Sequence, residues 1–126
     1  MINPNSGTPF VGYVSLTNGA IGPTNFAIFT VIGAAAYTLQ STERLVITNI
    51  TVSSSDTIAL LTVDSGGTTP TKFYSGYVQG SVSPHSVNIP PGVLHGIFGT
   101  LPRAIASAVS ATKTIECIIN GFITRS

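Results

Sequence analysis

The sequence predicts an all-β protein, and three observations indicate this class. β-Branched and aromatic residues recur in short runs from residue 26 to the end of the chain, as they do in strands. Turn-forming residues separate these runs, for example Gly66-Gly67 and Pro90-Pro91-Gly92. No run has the length, periodicity and caps of a stable helix. The pattern is typical of a β-sandwich or barrel.

The predicted strands follow one another closely along the chain. One segment, residues 103–112, also permits a short helix because Ile105 and Val109 are four residues apart among alanines. That helix would have barely two turns and no clear caps, so we favour a strand. The predicted strands cover residues 26–32, 37–40, 45–53, 58–64, 72–78, 86–89, 95–98, 104–108 and 115–124.

Residues 1–25 have a different composition from the rest of the chain. Prolines and glycines interrupt isolated apolar side chains there, a spacing that opposes regular structure. We predict an extended N-terminal arm over residues 1–25, with a short strand near residues 11–16, and a sandwich domain over residues 26–126. Deletion of residues 1–20 is then expected to leave a folded oligomer that no longer attaches to its partner.

Composition limits the classes of partner. Hydrophobic residues make up 43% and charged residues 7% of the 126 residues, a charge content far below the average of soluble domains. Such a surface suits a chain that is covered by copies of itself or by a larger assembly. The net charge is +1 and the basic residues are scattered, so we expect no nucleic-acid partner. No apolar run approaches the ~20 residues of a membrane span, and we expect no membrane partner.

Two predicted strands carry large apolar side chains on both faces. In the last strand Ile115, Cys117, Ile119 and Ile123 alternate with Ile118 and Phe122, and residues 26–32 repeat the pattern. A sandwich strand normally turns one face to water, so the second face needs a cover. A subunit interface and burial within one chain both satisfy this need. The interface residues that we predict are Phe10, Tyr13, Phe29, Ile118 and Phe122.

The residues that could do chemistry form no recognisable motif. His85 and His95 lack the companion ligands that zinc requires, no nucleophile elbow occurs, and Cys117 lies in an apolar run as a small buried hydrophobe would. We therefore predict no catalytic residue, no metal and no cofactor. The remaining candidates considered are Glu43, Asp56, Asp64 and Glu116.

The stretch from residue 44 to 126 resembles the small jelly-roll proteins that decorate the capsids of tailed phages and related viruses. Three segments carry the resemblance: RLVITNITVSSSD running into IALLTVDSGG, SVSPHSVNIPPGV leading to GIFGTLPRAIASAVSAT, and the closing IECIINGFITRS. The resemblance implies a single jelly-roll-like β-sandwich of about eight strands that forms trimers on capsid axes. It also implies an N-terminal arm that touches the shell, and no catalytic residues.

Two functions from different classes remain open at this stage. The first is a non-enzymatic decoration (cement) protein that binds the outside of a viral capsid as a homotrimer and stabilises the shell. Its location would be the virion surface, after production in the host cytoplasm. The second is a carbohydrate- or receptor-binding module of a virion fibre, with loops around Tyr74, Tyr77 and His85 as its binding site. Tyr37, Phe73 and Phe98 complete the aromatic residues considered for sugar stacking.

Overall fold

The structure, a computed structural model, describes residues 8–17, 23–30, 35–54, 59–78, 85–89, 94–106 and 114–125. These residues form ten strands in two antiparallel sheets, with no helix among them. The predicted all-β sandwich is confirmed, with ten strands in the described ranges where about eight were expected. Within the same ranges there is no helix capable of crossing a membrane.

The two sheets are unequal in size. The larger one, sheet A, has six strands, and the smaller one, sheet B, has four. Sheet A contains β1 (Thr8–Thr17), β3 (Ala27–Phe29), β4 (Arg44–Ser54), β7 (His85–Asn88), β8 (Leu94–His95) and β10 (Thr114–Thr124). Sheet B contains β2 (Thr24–Asn25), β5 (Ala59–Asp64), β6 (Lys72–Val78) and β9 (Arg103–Ala106).

β10 is the central strand of sheet A. The strand order is β3-β1-β10-β4-β7, and β8 pairs with β4 beyond the end of β7. Sheet B has the order β2-β9-β5-β6. The inward side chains of both sheets meet in one hydrophobic core, because alternate residues of each strand point to the same face. Ile50, Ile119, Leu61 and Val63 are among its fully buried members.

The predicted N-terminal arm is wrong for residues 8–17. These residues form β1, which lies between β3 and β10 and pairs with β10 along its whole length. Its side chains Phe10, Val14 and Leu16 are buried in the core. The predicted short strand near residues 11–16 is therefore present, but it is longer than expected and internal to the sheet. Residues 1–7 and 18–22 lie outside the described ranges.

The predicted strand over residues 26–32 is shorter than expected, since β3 covers only Ala27–Phe29, and a separate strand, β2, precedes it. β2 pairs with β9 in sheet B, whereas β3 pairs with β1 in sheet A. The chain changes sheets at Phe26, whose ring is buried and whose amide donates to the carbonyl of Pro102 at 2.9 Å. A strand that crosses from one sheet to the other forms a corner of a sandwich, and burial of the Phe26 ring fixes this corner.

An irregularity in β4 keeps both halves of that strand in the core. Asn120 pairs with Asn49 but Gly121 pairs with Ile47, so Thr48 is an extra residue, a β-bulge. The bulge shifts the alternation by one position. Leu45 and Ile47 on one side of it, and Ile50 and Val52 on the other, therefore face the same core. The Thr48 hydroxyl donates to the Asn120 carbonyl at 3.3 Å.

Other predicted strands differ from the structure in length. Residues 37–40 form no strand, because the Tyr37 amide makes a single backbone bond to the Ile28 carbonyl. The predicted strand 95–98 is wrong beyond His95, where the chain turns through Gly99 with a φ of 72°. Residues 103–106 form a strand, as preferred over a helix. Residues 107–112 lie outside the described ranges.

Candidate interaction surface

The outer face of sheet A carries a contiguous set of apolar side chains. In β1 and β10 this face alternates with the core face, so each core residue is followed by one that points outward. Val11, Tyr13 and Ile118 are 43%, 39% and 37% exposed. Tyr13 pairs directly with Ile118, and Val11 pairs with Phe29 of β3. We call Val11, Tyr13, Phe29, Ile118 and Phe122 the outer apolar patch.

Four of the five predicted interface residues lie in this patch. Tyr13 and Ile118 are exposed, while Phe29 and Phe122 are half-buried. Phe10 was predicted to join them, but the structure places its ring in the core, where it is 3% exposed. The reason is strand parity, since Phe10 lies an odd number of residues from Tyr13 and points to the opposite face of β1.

A shallow cleft of about 140 Å³ extends the patch at the edge of sheet A. It is lined by Pro9, Phe10, Val11, Phe29 and Thr30. It lies where β3 ends and β1 continues without a β3 partner. The apolar surface therefore includes a concave border that an apolar side chain of a partner could fill.

The other half of the same face is polar and internally bonded. The Asn49 amide nitrogen donates to the Asn88 amide oxygen at 2.8 Å, and the Thr51 hydroxyl donates to the Asn49 amide oxygen at 2.8 Å. The Thr51 and Ser86 hydroxyls are also 2.8 Å apart. Because these groups bond to one another, covering them with a partner leaves fewer polar atoms unsatisfied.

A charged group marks the border of the patch. The Tyr13 hydroxyl donates to Oε2 of Glu116 at 2.8 Å. This hydrogen bond is the main cause of a raised pKa of Tyr13, with partial burial as a second cause. Ser15 and Ser53 flank Glu116 in the neighbouring strands. The apolar surface thus ends at a polar row, as it does at the rim of protein interfaces.

The outer face of sheet B has a different character. Its described residues include Thr62 and Ser75, whose hydroxyls lie 3.4 Å apart across β5 and β6. Leu61 and Val63, on either side of Thr62, point into the core. Ile105 pairs with Thr62 on this face and is half-buried. Among the described strands, the exposed large apolar side chains Val11, Tyr13 and Ile118 all lie in sheet A.

Two candidate catalytic carboxylates have structural partners. Glu43 is buried, and its carboxylate accepts hydrogen bonds from the Tyr37 hydroxyl at 2.8 Å and from the backbone amide of Gln40 at 3.0 Å. The bond to Glu43 is the main cause of the raised pKa of Tyr37. Arg125 lies 3.9 Å from the same carboxylate. The contacts hold residues 37–43 against the end of the sandwich.

Asp64 is the second buried carboxylate. Its Oδ1 accepts bonds from the Gly66 amide at 2.8 Å and from Nε of Arg103 at 2.9 Å. The first bond closes the turn after β5, where Gly66 has a φ of 72°, a conformation that favours glycine. The second bond joins this turn to β9. Both interactions give Asp64 a role in the fold.

The remaining chemical candidates are not grouped in the described ranges. Burial raises the pKa of the Cys117 thiol to about 12, which makes it a weak nucleophile near neutral pH. His95 is half-buried, while the side chain of His85 and all of Asp56 lie outside the description. No group of three or more His, Cys, Asp or Glu residues capable of holding a metal occurs among the described residues.

The aromatic residues considered for sugar stacking do not form one platform among those described. Tyr37, Phe73 and Tyr74 pack against the hydrophobic core. Burial is the main cause of the raised pKa of Tyr74. Phe98 is exposed and lies under the guanidinium of Arg44. The side chain of Tyr77 lies outside the description.

Sequence reasoning missed two exposed features. Val11 belongs to the outer apolar patch, and the signal for it is its position two residues before Tyr13 in one strand. Ile97 is exposed beside Phe98 because the chain turns there instead of continuing as a strand. No family model, curated protein or solved structure matches the chain, so its function is argued from these surfaces.

Proposed function

We propose that the protein is a non-enzymatic structural subunit that self-associates through the outer face of sheet A. In this proposal it is a homotrimer that binds the outside of a viral capsid and stabilises the shell as a decoration protein. One observation carries the proposal. The outer apolar patch groups large apolar side chains around Asn120 on the larger sheet, and three of them, Val11, Tyr13 and Ile118, are exposed in the described part of the monomer.

The physical argument for self-association is the location of this apolar area. Water-exposed contiguous apolar surface is unfavourable, and large patches of it mark interaction sites. The patch contains the exposed Tyr13–Ile118 pair and is bordered by the cleft at Phe29 on one side. The bonded polar groups around Asn49 lie on the other side. An apolar centre with a satisfied polar border resembles the composition of stable interfaces.

The trimer and the capsid are supported by the resemblance to jelly-roll decoration proteins and by multivalency. A subunit repeated many times on a shell binds through several modest contacts at once, which raises its overall affinity. A surface of low charge density is consistent with that role, because contacts between copies cover part of it. With 7% charged residues, this chain has such a surface.

The self-association is tested with a charge placed within the patch. Ile118→Lys introduces an ammonium group at a position that is 37% exposed in the monomer, so the monomer is expected to fold. Burial of that charge in an interface would be strongly unfavourable. We expect light scattering to give a trimer mass for the natural chain and a monomer mass for the variant.

The matched control is Ser75→Lys, which places the same charge on the exposed outer face of sheet B. This control should retain the trimer mass. A monomeric natural chain, or an Ile118→Lys variant that remains a trimer, would contradict the proposal. Cosedimentation of the natural trimer with capsids of the virus that encodes it tests the remaining half, and absence of binding would contradict that half.

A further inference from the structure

A second surface lies at one end of the sandwich. Arg44, the first residue of β4, pairs with Thr124, the last residue of β10, and Arg125 follows Thr124 in the chain. Lys72 of β6 and Arg103 of β9 lie opposite Asp64 of β5 in the two neighbouring strands of sheet B. The loop after β8 joins the two sheets here. In that loop the Gly99 amide donates to the Glu43 carbonyl at 2.7 Å, and Ile97 approaches Gly67 of the turn after β5.

We call this surface the basic loop end. It contains four of the five basic residues of the chain and two of its four acidic residues, Glu43 and Asp64. Both acidic side chains are buried and already engaged. The Arg125 side chain is 69% exposed, and Lys72 is exposed as well. The formal charge that faces solvent at this end is therefore positive.

Two exposed apolar side chains lie among these cations. Ile97 and Phe98 are 39% and 44% exposed and adjacent in the chain. The Arg44 guanidinium lies 4.7 Å from the centre of the Phe98 ring, a cation–π contact that holds ring and charge in one geometry. The positive φ of Gly99 turns the chain directly after them. Positive charge and apolar surface are thus presented together.

We propose that the basic loop end is the surface that docks on an acidic protein surface with exposed apolar side chains. Charge complementarity argues for this partner, because the end has an excess of basic groups and both of its carboxylates are buried. Exposed Ile97 and Phe98 supply the apolar part of the contact. The inference rests on the proposed function, which makes a capsid protein, and not a lipid, the surface beneath.

The two surfaces then have separate tasks. The outer apolar patch lies on the face of sheet A and contacts copies of the chain. The basic loop end lies where the strands of both sheets terminate, and it contacts the shell. A trimer that is joined through its sheets presents three such ends, so that weak docking at each one adds to a strong attachment.

The test uses an immobilised random copolymer of glutamate and tyrosine as the acidic, partly apolar probe. A lysine–tyrosine copolymer of equal length is the charge-inverted control. We expect the natural chain to bind the first and not the second, with binding that weakens as salt is added. Arg44→Gln combined with Arg125→Gln should weaken binding about threefold to tenfold, as expected for the loss of one half-buried and one exposed charge.

A second variant tests the apolar part of the docking surface. Ile97→Ser combined with Phe98→Ser should weaken binding to a similar degree. The matched control is Ile105→Ser, which removes a half-buried apolar side chain from the outer face of sheet B and leaves both proposed surfaces unchanged. This control should bind the copolymer as the natural chain does. Thermal melts of all variants verify that each is folded.

Several outcomes would overturn the inference. These are no binding to the glutamate–tyrosine copolymer, equal binding to both copolymers, or unchanged binding by both double variants. Binding only to vesicles of phosphatidylcholine with phosphatidylserine would also overturn it. Light scattering of the same samples separates this failure from failure of the proposed function. A trimer without copolymer binding contradicts the docking surface alone, whereas a monomer that binds the copolymer contradicts the self-association alone.

Discussion

Gly121 occupies a position where no side chain fits. A Cβ atom there would collide with the backbone carbonyl oxygen of Val46 in the neighbouring strand. Because a backbone atom cannot move aside as a flexible side chain can, β10 and β4 would have to separate. We expect Gly121→Ala to lower the free energy of unfolding by about 2–4 kcal/mol, measured by urea denaturation.

Gly96→Ala is the matched control for this prediction. A Cβ at Gly96 would lie 3.6 Å from its nearest neighbour, the backbone of Leu45, which is ordinary van der Waals contact. A glycine that tolerates alanine without strain changes stability by less than about 1 kcal/mol. A loss of stability in Gly121→Ala as small as that in Gly96→Ala would show that the spacing of β10 and β4 at Gly121 is wider than described.

Cys117 makes the stability of the protein depend on pH in the alkaline range. Burial raises its pKa from 9.0 to about 12. Below pH 9.0 the thiol is protonated in the folded and the unfolded chain, so it adds no pH dependence. Between these two values the unfolded thiol ionises and the folded one does not. At pH 9.0 the unfolded thiol is half ionised, so the free energy of unfolding should fall by about 1 kcal/mol between pH 9 and pH 10.

This slope is measured by urea denaturation between pH 9 and pH 10, with Cys117→Val as the control. Above pH 10.0 the tyrosines with raised pKa values, Tyr13, Tyr37 and Tyr74, lower the stability in the same direction. Because these tyrosines already begin to ionise in the unfolded chain below pH 10, the difference in slope between the natural chain and Cys117→Val isolates the thiol. An equal slope for the Cys117→Val variant would exclude the thiol as its source.

At the scale of elements, the structure makes β1 an internal strand of sheet A. It joins β3 to β10 and buries Phe10, Val14 and Leu16. Removal of residues 1–20 takes away this whole strand and opens the core, so we expect an unfolded chain. Removal of residues 1–7 leaves β1 complete, since it begins at Thr8, and should leave a folded one.

Circular dichroism and thermal melts distinguish these truncations. A cooperative melt for the chain without residues 1–20 would mean that β1 is dispensable. Residues 1–20 would then be a removable arm, as the sequence alone predicts. The shorter truncation is the control for general effects of removing the N-terminus, and loss of its cooperative melt would place essential contacts in residues 1–7.

Alternation and turns were sufficient to predict the regular strands. Residues 72–78 match β6, and the last strand was placed within one residue of β10. The change of sheets at Phe26 escaped prediction because residues 1–25 were assigned to an arm, and the two-residue strand β2 is recognised only by its pairing with β9. The bulge at Thr48 also depends on a partner, because only the pairing with β10 reveals the extra residue.

The candidate surface was predicted only where both faces of a strand are apolar. Ile118 and Phe122 stood out for that reason. Phe10 was grouped with Tyr13 because residues 1–25 were taken as an arm, for which strand parity has no meaning. Ile97 and Phe98 are exposed where loops from both sheets contact one another at one end of the sandwich. Contacts between loops that are distant in sequence cannot be predicted from a short-range pattern.

For the whole molecule, polarity is distributed unevenly over the sandwich. The described outer face of sheet A exposes Val11, Tyr13 and Ile118, while no large apolar side chain is exposed on the described strands of sheet B. Four of the five basic residues lie at one end. A subunit with one apolar face and one basic end has the asymmetry that an oriented assembly requires, because each surface suits a different partner.

Self-association through sheet A should also appear in the thermal stability. Folding linked to assembly makes the melting temperature rise with protein concentration. For a trimer, a tenfold increase should add about 1 kcal/mol per subunit, or about 3–5 °C for a chain of this size. Calorimetry of the natural chain should show this shift and Ile118→Lys should not, because the variant unfolds as a monomer. A natural chain whose melting temperature is independent of concentration, or a variant with the full shift, would exclude the outer apolar patch as the assembly surface.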